Sequence, residues 1–295
     1  LYKAQKNLYG EQLKYYNLGA AAIDVQVKRD VRTVYYQLWY LQDKQKLYHR
    51  LDSIYKSLNA AAILKVKTGD SPGLDSIAAN VRMRELQALM QQVGKEMQIQ
   101  QQSLMQLLNT NDVLLPQMLP LEKLMMPDLA SDSTHPMLAL QSQNINIANA
   151  GINVVKNENK PEFSGRFFSQ RLYGAKDPFT GFSVSAVFPL FGAKAYQSKV
   201  KVAQADVAVQ QKQYEYEAQV LNTQKLQMQQ EVEKNSSMLS FYESTGLKQA
   251  EEIIKAASLA YRAGEISFAE LSQFLTQAIE IQKNYLENLN AYNQS

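Results

Sequence analysis

The chain has 295 residues, of which 20% are charged and 45% apolar, so it is neither a disordered polymer nor a helical membrane protein. A formal net charge of only +3, with the basic residues scattered, argues against a nucleic-acid partner. Cysteine is absent, which excludes disulfides, thiolate metal sites and cysteine nucleophiles.

No stretch approaches the roughly 18 to 20 apolar residues of a transmembrane helix, so any membrane contact must be made by β-strands. Glutamine is common, at 33 residues, while glycine and proline are scarce outside a few places, a composition suited to long water-facing helices. The chain opens mid-pattern at Leu1-Tyr2-Lys3 with no signal peptide, and is expected to be a piece of a longer protein.

From Lys3 to Lys67 there is no proline, and Gly10 and Gly19 weaken helix propensity only mildly. One helix is predicted, about 100 Å long at ~1.5 Å per residue. Lys67-Thr68-Gly69-Asp70-Ser71-Pro72-Gly73 gathers the strongest local breakers and reads as a turn. A second helix is predicted from Leu74 to about Leu108. In it Met83, Met90, Met97 and Leu104 hold one heptad position, and Leu86, Val93, Gln100 and Leu107 the other. A short turn between two such helices implies an antiparallel hairpin.

Residues 109–135 bring Pro116, Pro120 and Pro127 together with Asn, Asp, Ser and Thr, and read as a linker or small equatorial segment. His135-Pro136 resembles a helix entry with proline at the first helical position, and a shorter helix follows to about Asn157. Two strands are then predicted, Glu162 to Arg171 and Gly181 to Phe191, with Asp177-Pro178 in the loop between them. In the second, Phe182, Val184, Ala186, Phe188 and Leu190 alternate with Ser183, Ser185, Val187 and Pro189. Alternation over about ten residues matches a strand that crosses a membrane. The alternative is a soluble two-stranded ribbon, although a lone hairpin is marginally stable in water.

A second long helix is predicted over 193–262, ended by Ala263-Gly264-Glu265, and a last one over 267–294. The last carries Phe268, Leu271, Leu275, Ala278, Gln282, Tyr285, Leu289 and Tyr292 at alternating three- and four-residue steps. The two halves therefore repeat one plan: 1–108 is the first hairpin repeat and 136–295 the second. Around the turns they align without gaps. Ala61-Ala62 matches Ala256-Ala257, and Lys67, Gly69, Asp70 and Asp75 match Arg262, Gly264, Glu265 and Glu270. Each hairpin has more seam than it buries alone, so assembly into a larger bundle or ring is expected.

Catalytic chemistry finds no support. His49 and His135 are the only histidines and sit in no metal-ligand or triad spacing. There is no phosphate loop or dinucleotide fingerprint. The chain is read as a non-enzyme with no cofactor and no metal site. Met83, Met90 and Met97 invite a soft-metal reading, but they lie about 10 Å apart along a helix axis, and seam packing explains them better. The aromatic group Tyr35, Tyr36, Trp39 and Tyr40 reads as helix packing before a contact surface.

Several segments together resemble the TolC family of outer-membrane efflux proteins. Phe182-Ser183-Val184-Ser185-Ala186-Val187-Phe188-Pro189-Leu190-Phe191-Gly192 is similar to that family's strand leading into its long helix. Tyr261-Arg262-Ala263-Gly264-Glu265-Ile266-Ser267-Phe268-Ala269-Glu270-Leu271 is similar to its helix-turn-helix tip. His135-Pro136-Met137-Leu138 resembles its Asn-Pro-x-Leu helix start, with His in place of Asn. The resemblance covers nearly the whole chain. It implies a mainly α fold of long antiparallel coiled-coil hairpins in two repeats, with a small β-hairpin contributing to a barrel in the outer membrane. It further implies a homotrimer when full length, a periplasmic adaptor (membrane fusion) protein, an inner-membrane pump of the resistance-nodulation-division class, and outer-membrane lipid as partners. The family carries a further strand pair and short helix ahead of its first long helix. Neither is found here, and both are expected upstream with any signal or lipid anchor.

A narrower resemblance, to channels serving heavy-metal pumps and in some bacteria fused to them, is carried by Phe241-Tyr242-Glu243, Gly246-Leu247, Tyr261 to Ile266 and Asn290-Ala291-Tyr292-Asn293. The expected function is then passive export from the periplasm or pump to the exterior, with heavy-metal cations among the cargo. The alternative is a soluble periplasmic coiled-coil adaptor or scaffold. In the family the tips close the periplasmic mouth and meet the adaptor. That implication falls on Gly69, Asp70, Leu74, Asp75, Gly264, Glu265, Phe268 and Glu270. A ring of carboxylates favours cations, whereas acids in a first helical turn also serve as caps. The membrane-facing residues expected are Phe182, Val184, Ala186, Phe188 and Leu190.

Overall fold

The structure is a computed structural model that describes the chain apart from residues 117–118, 126–134, 172, 175 and 189–192. In chain order the elements are α1 (Tyr2–Thr68), α2 (Gly73–Leu108), α3 (Pro136–Glu158), β1 (Glu162–Gln170), β2 (Phe179–Val187), α4 (Ala193–Phe241), a π-helical turn (Tyr242–Gly246), α5 (Leu247–Ala263) and α6 (Phe268–Gln294). Among the described residues no helix is long and apolar enough to cross a membrane. The chain forms two compact units, residues 1–25 with 130–223, and residues 26–129 with 224–295.

The second unit is a helical bundle. Leu41, Leu51 and Leu58 of α1, Leu86 and Val93 of α2, Ile254 and Tyr261 of α5, and Leu271, Leu275 and Leu289 of α6 share one buried core. The heptads predicted this: Met83, Met90 and Met97 pack against that core as seam residues, and Phe268, Leu271, Leu275, Ala278, Gln282 and Leu289 are buried along α6. The linker is strapped onto the bundle. Trp39 donates its indole N–H to the Leu119 carbonyl at 2.8 Å, and the Leu121 N–H donates to the Asp43 carboxylate at 2.5 Å. Asn293 both accepts from the Leu124 N–H and donates to the Glu122 carbonyl. Tyr36 and Trp39 stack with ring centroids 6.2 Å apart, so the aromatic cluster serves packing and the strap.

One difference from the sequence reading lies within the second long helix. Rather than running unbroken over 193–262, it contains the π turn, where the Leu247 N–H donates to the Tyr242 carbonyl five residues back. Tyr242 and Gly246 are buried there, and a side chain at Gly246 would meet Tyr242 at 3.1 Å and Ile281 at 3.3 Å.

In the first unit, α3 starts as its sequence dictates. Pro136 occupies the first turn, and the His135 imidazole accepts a hydrogen bond from the Met137 N–H. Gln143 of α3 donates to the Glu11 carbonyl and carboxylate of α1, and Gln141 donates to Gln210 of α4. The strands β1 and β2 form a single antiparallel ribbon, in register from Glu162↔Val187 to Gln170↔Phe179. The second strand begins two residues earlier than its alternation suggested, because Phe179 and Thr180 complete the pairing with Gln170 and Ser169.

Candidate functional site

The ribbon has two chemically distinct faces. Residues paired directly across an antiparallel ladder point the same way. Phe163, Gly165 and Phe167 therefore share a face with Ala186, Val184 and Phe182, and Phe188 extends it just beyond β2. Phe163 meets Phe188 edge-on, with ring centroids 6.2 Å apart. Among the described residues nothing covers this face: Phe163, Phe167, Phe182, Val184 and Phe188 are each 55–73% exposed. The opposite face is mixed: it carries Glu162, Ser164, Arg166, Gln170, Ser183 and Ser185, with the Ser164 and Ser185 hydroxyls hydrogen-bonded at 2.7 Å, and at its two ends the exposed Phe179 and Val187. Here Phe168 lies over Gly181, where a β-carbon would come within 2.4 Å of its ring. An aromatic covering a cross-strand glycine pins the register. Each strand spans about 30 Å at ~3.3 Å per residue, enough to cross a lipid layer when tilted. Of the residues expected to face the membrane, Phe182, Val184 and Ala186 share this face and Phe188 continues it, and Leu190 lies outside the described residues.

The second group of candidate residues lies at the two helical turns. Gly69 and Gly264 both adopt left-handed backbone, at φ +82° and +84°. Both turns close with the same pair of hydrogen bonds: Gly69 to Val66 and Asp70 to Lys65 in one, Gly264 to Tyr261 and Glu265 to Ala260 in the other. This is the Schellman arrangement, which needs a residue tolerant of positive φ at the glycine position. Asp70 accepts from the Thr68 hydroxyl, Asp75 is half-buried, and Leu74 is 71% exposed. Glu265 is exposed. Glu270 closes a capping box with Ser267, taking hydrogen bonds from its backbone N–H and its hydroxyl. Those bonds, the backbone one first, hold the Glu270 carboxyl below its ordinary range. Phe268 is only 1% exposed and packs edge-on against Tyr261 at 5.7 Å, inside the turn rather than on its surface.

The sequence reading missed Lys65, which ties the two turns together. Its ammonium donates to the Tyr261 carbonyl at 2.5 Å and sits 4.7 Å from the Tyr261 ring centroid. A lysine near a helix end reads as solvated surface, and only the neighbouring hairpin reveals the contact. Tyr261 itself is buried. Burial, with a smaller push from the Asp75 carboxylate, raises its hydroxyl above the ordinary phenol range. Arg50 adds a bidentate ion pair to Glu251 across α1 and α5, both bonds 2.6 Å. Among the described residues no cluster of three or more His, Asp or Glu side chains is arranged to hold a metal ion.

No known family pattern and no curated protein matches the sequence. Solved structures do match it. The chain superposes on the outer-membrane channel OprN with a TM-score of 0.83 at 14% identity, covering 99% of this chain and 69% of that one. The fold is that of the TolC-like outer-membrane efflux channels. CusC, described for its folding and transmembrane channel formation, matches at 0.83 and 16% identity over 99% of this chain and 72% of its own. The open state of the MtrE outer-membrane channel from Neisseria gonorrhoeae matches at 0.82 and 14%, over 99% and 69%. These likenesses establish the long helical hairpins with a small β-hairpin as a TolC-like architecture.

Proposed function

We propose that this chain is the channel subunit of a tripartite efflux system, a passive duct leading from the periplasm or a pump to the exterior. The observation that carries the reading is the ribbon's apolar face, uncovered and free of charge, attached to long helical hairpins. A coiled-coil adaptor or scaffold has no use for Phe163, Phe167, Phe182 and Phe188 in water. Outer-membrane lipid and neighbouring strands are the partners that fit them. Exposed heptad stripes, Tyr2, Tyr9, Tyr16 and Ile23 on α1 and Val202, Val209 and Tyr216 on α4, support assembly of copies into the homotrimer. The turns around Gly69 and Gly264 are then the periplasmic end, where a periplasmic adaptor and an inner-membrane resistance-nodulation-division pump engage. The two hairpin repeats, 1–108 and 136–295, joined by 109–135, are the units of that duct.

Heavy-metal cations are the cargo we assign, on the sequence segments around Tyr242, Tyr261 and Tyr292 that resemble metal-efflux channels. The test is the susceptibility of a strain lacking the full-length gene to zinc, cobalt, copper and silver salts and to lipophilic drugs. Selective metal sensitivity is the expected result. Drug sensitivity alone would retain the channel and discard the metal cargo. Recovery of the full-length protein only from the soluble periplasm, with no heat-modifiable trimer in outer membranes, would overturn the channel.

A further inference from the structure

A cavity of about 470 Å³ lies in the first unit between the end of α3 and the start of α4, lined by Val155, Lys156, Asn159, Tyr196, Gln197, Val200, Lys201 and Gln204. Its chemistry is one-sided. Two ammonium groups, three amides and a phenol line it, and no carboxylate does. The nearest acid in sequence, Glu158, is engaged by Lys199 at 3.3 Å, and Lys199 also sits over the Tyr196 ring. Among the described residues neither Lys156 nor Lys201 makes an ion pair. Val155 and Val200 give the cavity an apolar wall beside its cations. Its place in the chain is equally specific. Asn159 stands three residues before β1, and the α4 residues follow closely on the segment that leaves β2, so the cavity sits at the foot of the amphipathic ribbon.

We propose that this cavity binds the phosphate of a phospholipid headgroup, with Lys156 and Lys201 as the cationic contacts and the Val155/Val200 wall against the start of the acyl chains. The inference rests on the reading of the ribbon as a membrane element. A ribbon whose apolar face meets lipid brings its foot to headgroup level, where phosphate is the prevailing anion. Lysine is a point-charge partner for phosphate, and each basic group near an anionic surface contributes roughly 1 kcal/mol to attachment, about a fivefold change in binding.

The experiment is flotation of the 295-residue chain with vesicles of phosphatidylethanolamine and phosphatidylglycerol, and with vesicles of digalactosyldiacylglycerol, a bilayer-forming lipid without phosphate. Lys156→Gln/Lys201→Gln should lower binding to the phospholipid vesicles at least tenfold, whereas Lys3→Gln/Lys6→Gln, which removes the same charge from α1, should leave it within twofold. Equal loss in both variants would overturn the cavity in favour of diffuse attraction. Wild-type binding as strong to the phosphate-free vesicles as to the phospholipid ones would overturn it as well. Inorganic phosphate protecting wild-type Lys156 and Lys201 from amine modification as strongly as vesicles do would assign the site to the free anion and overturn the lipid. Phe167→Ser/Phe182→Ser tests the underlying reading separately. If it binds every vesicle as wild type does, the ribbon is not the membrane element, whatever the lysine variants show. Circular dichroism of each variant confirms that the helices are retained.

Discussion

The two helical turns share a backbone and differ in what they carry. Both close through a left-handed glycine with the same two hydrogen bonds, and both leave four residues between helices. At the first helical position that follows, the α5–α6 turn has Phe268 and the α1–α2 turn has Gly73. Phe268 fills its turn from within, against Tyr261. The α1–α2 turn has no such plug, and its apolar residues Ile63, Leu64, Leu74, Ile77 and Val81 face outward. Loop closure is therefore set by the glycine and its hydrogen bonds. The next side chain decides whether a turn keeps its own core or presents apolar surface, so of the two turns we assign to the periplasmic end, the α1–α2 turn has the more apolar surface to offer a partner.

The largest effect that breaks this comparison is Phe268→Ala. Truncating a fully buried phenylalanine costs about 3–5 kcal/mol, whereas Leu74→Ala at the other turn stays within ~0.5 kcal/mol. Urea denaturation followed by circular dichroism measures both, and similar losses would refute the asymmetry. Ser267→Ala comes next, because it removes the capping box at an expected cost of about 1 kcal/mol. Its effect depends on pH in a defined direction. The Glu270 carboxyl is held below its ordinary range in the folded chain, so its share of the cap is complete above the unfolded carboxylate pKa. That share is lost as pH falls through the lowered folded value, so the penalty of Ser267→Ala shrinks on acidification. The smallest effect sharpens the comparison. Pro72 caps α2 without a side-chain hydrogen bond. Pro72→Ser/Asp75→Glu installs the missing box and should gain about 0.5 kcal/mol, part of the cap being offset by the freer unfolded chain without proline.

Much of this architecture was legible in the sequence. Proline-free runs, breakers at Gly69 and Gly264, and the heptad that begins at Phe268 and Leu271 are local signals, and local hydrogen bonding honours them. The His135-Pro136 helix start follows the same logic, with the imidazole in the capping role that Asn would fill. The alternation of Phe182, Val184, Ala186 and Phe188 gave the ribbon's apolar side. It did not give the start of β2, because Phe179 and Thr180 join the strand through partners on β1. Lys65 was illegible for the same reason: its partner, the Tyr261 carbonyl, is distant in sequence. Asp75 and Glu270 looked equivalent in alignment. Only geometry separates a carboxylate closing a capping box from one that stands beside a buried tyrosine.

The π turn keeps the buried stripe of this helix in phase. Buried residues along this stretch fall at Asn235, Leu239, Tyr242 and Gly246, and then at Ala250, Ile254, Ala257 and Tyr261. The step from Gly246 to Ala250 is one residue longer than a regular three-four alternation allows. In an unbroken α-helix that extra residue would turn every later side chain about 100° away from the seam. The wider turn at Tyr242–Gly246 absorbs it locally, so Ala250 through Tyr261 still meet α6. The turn thus takes up one residue more than the seam spacing needs, and the contacts on either side of it stay in register.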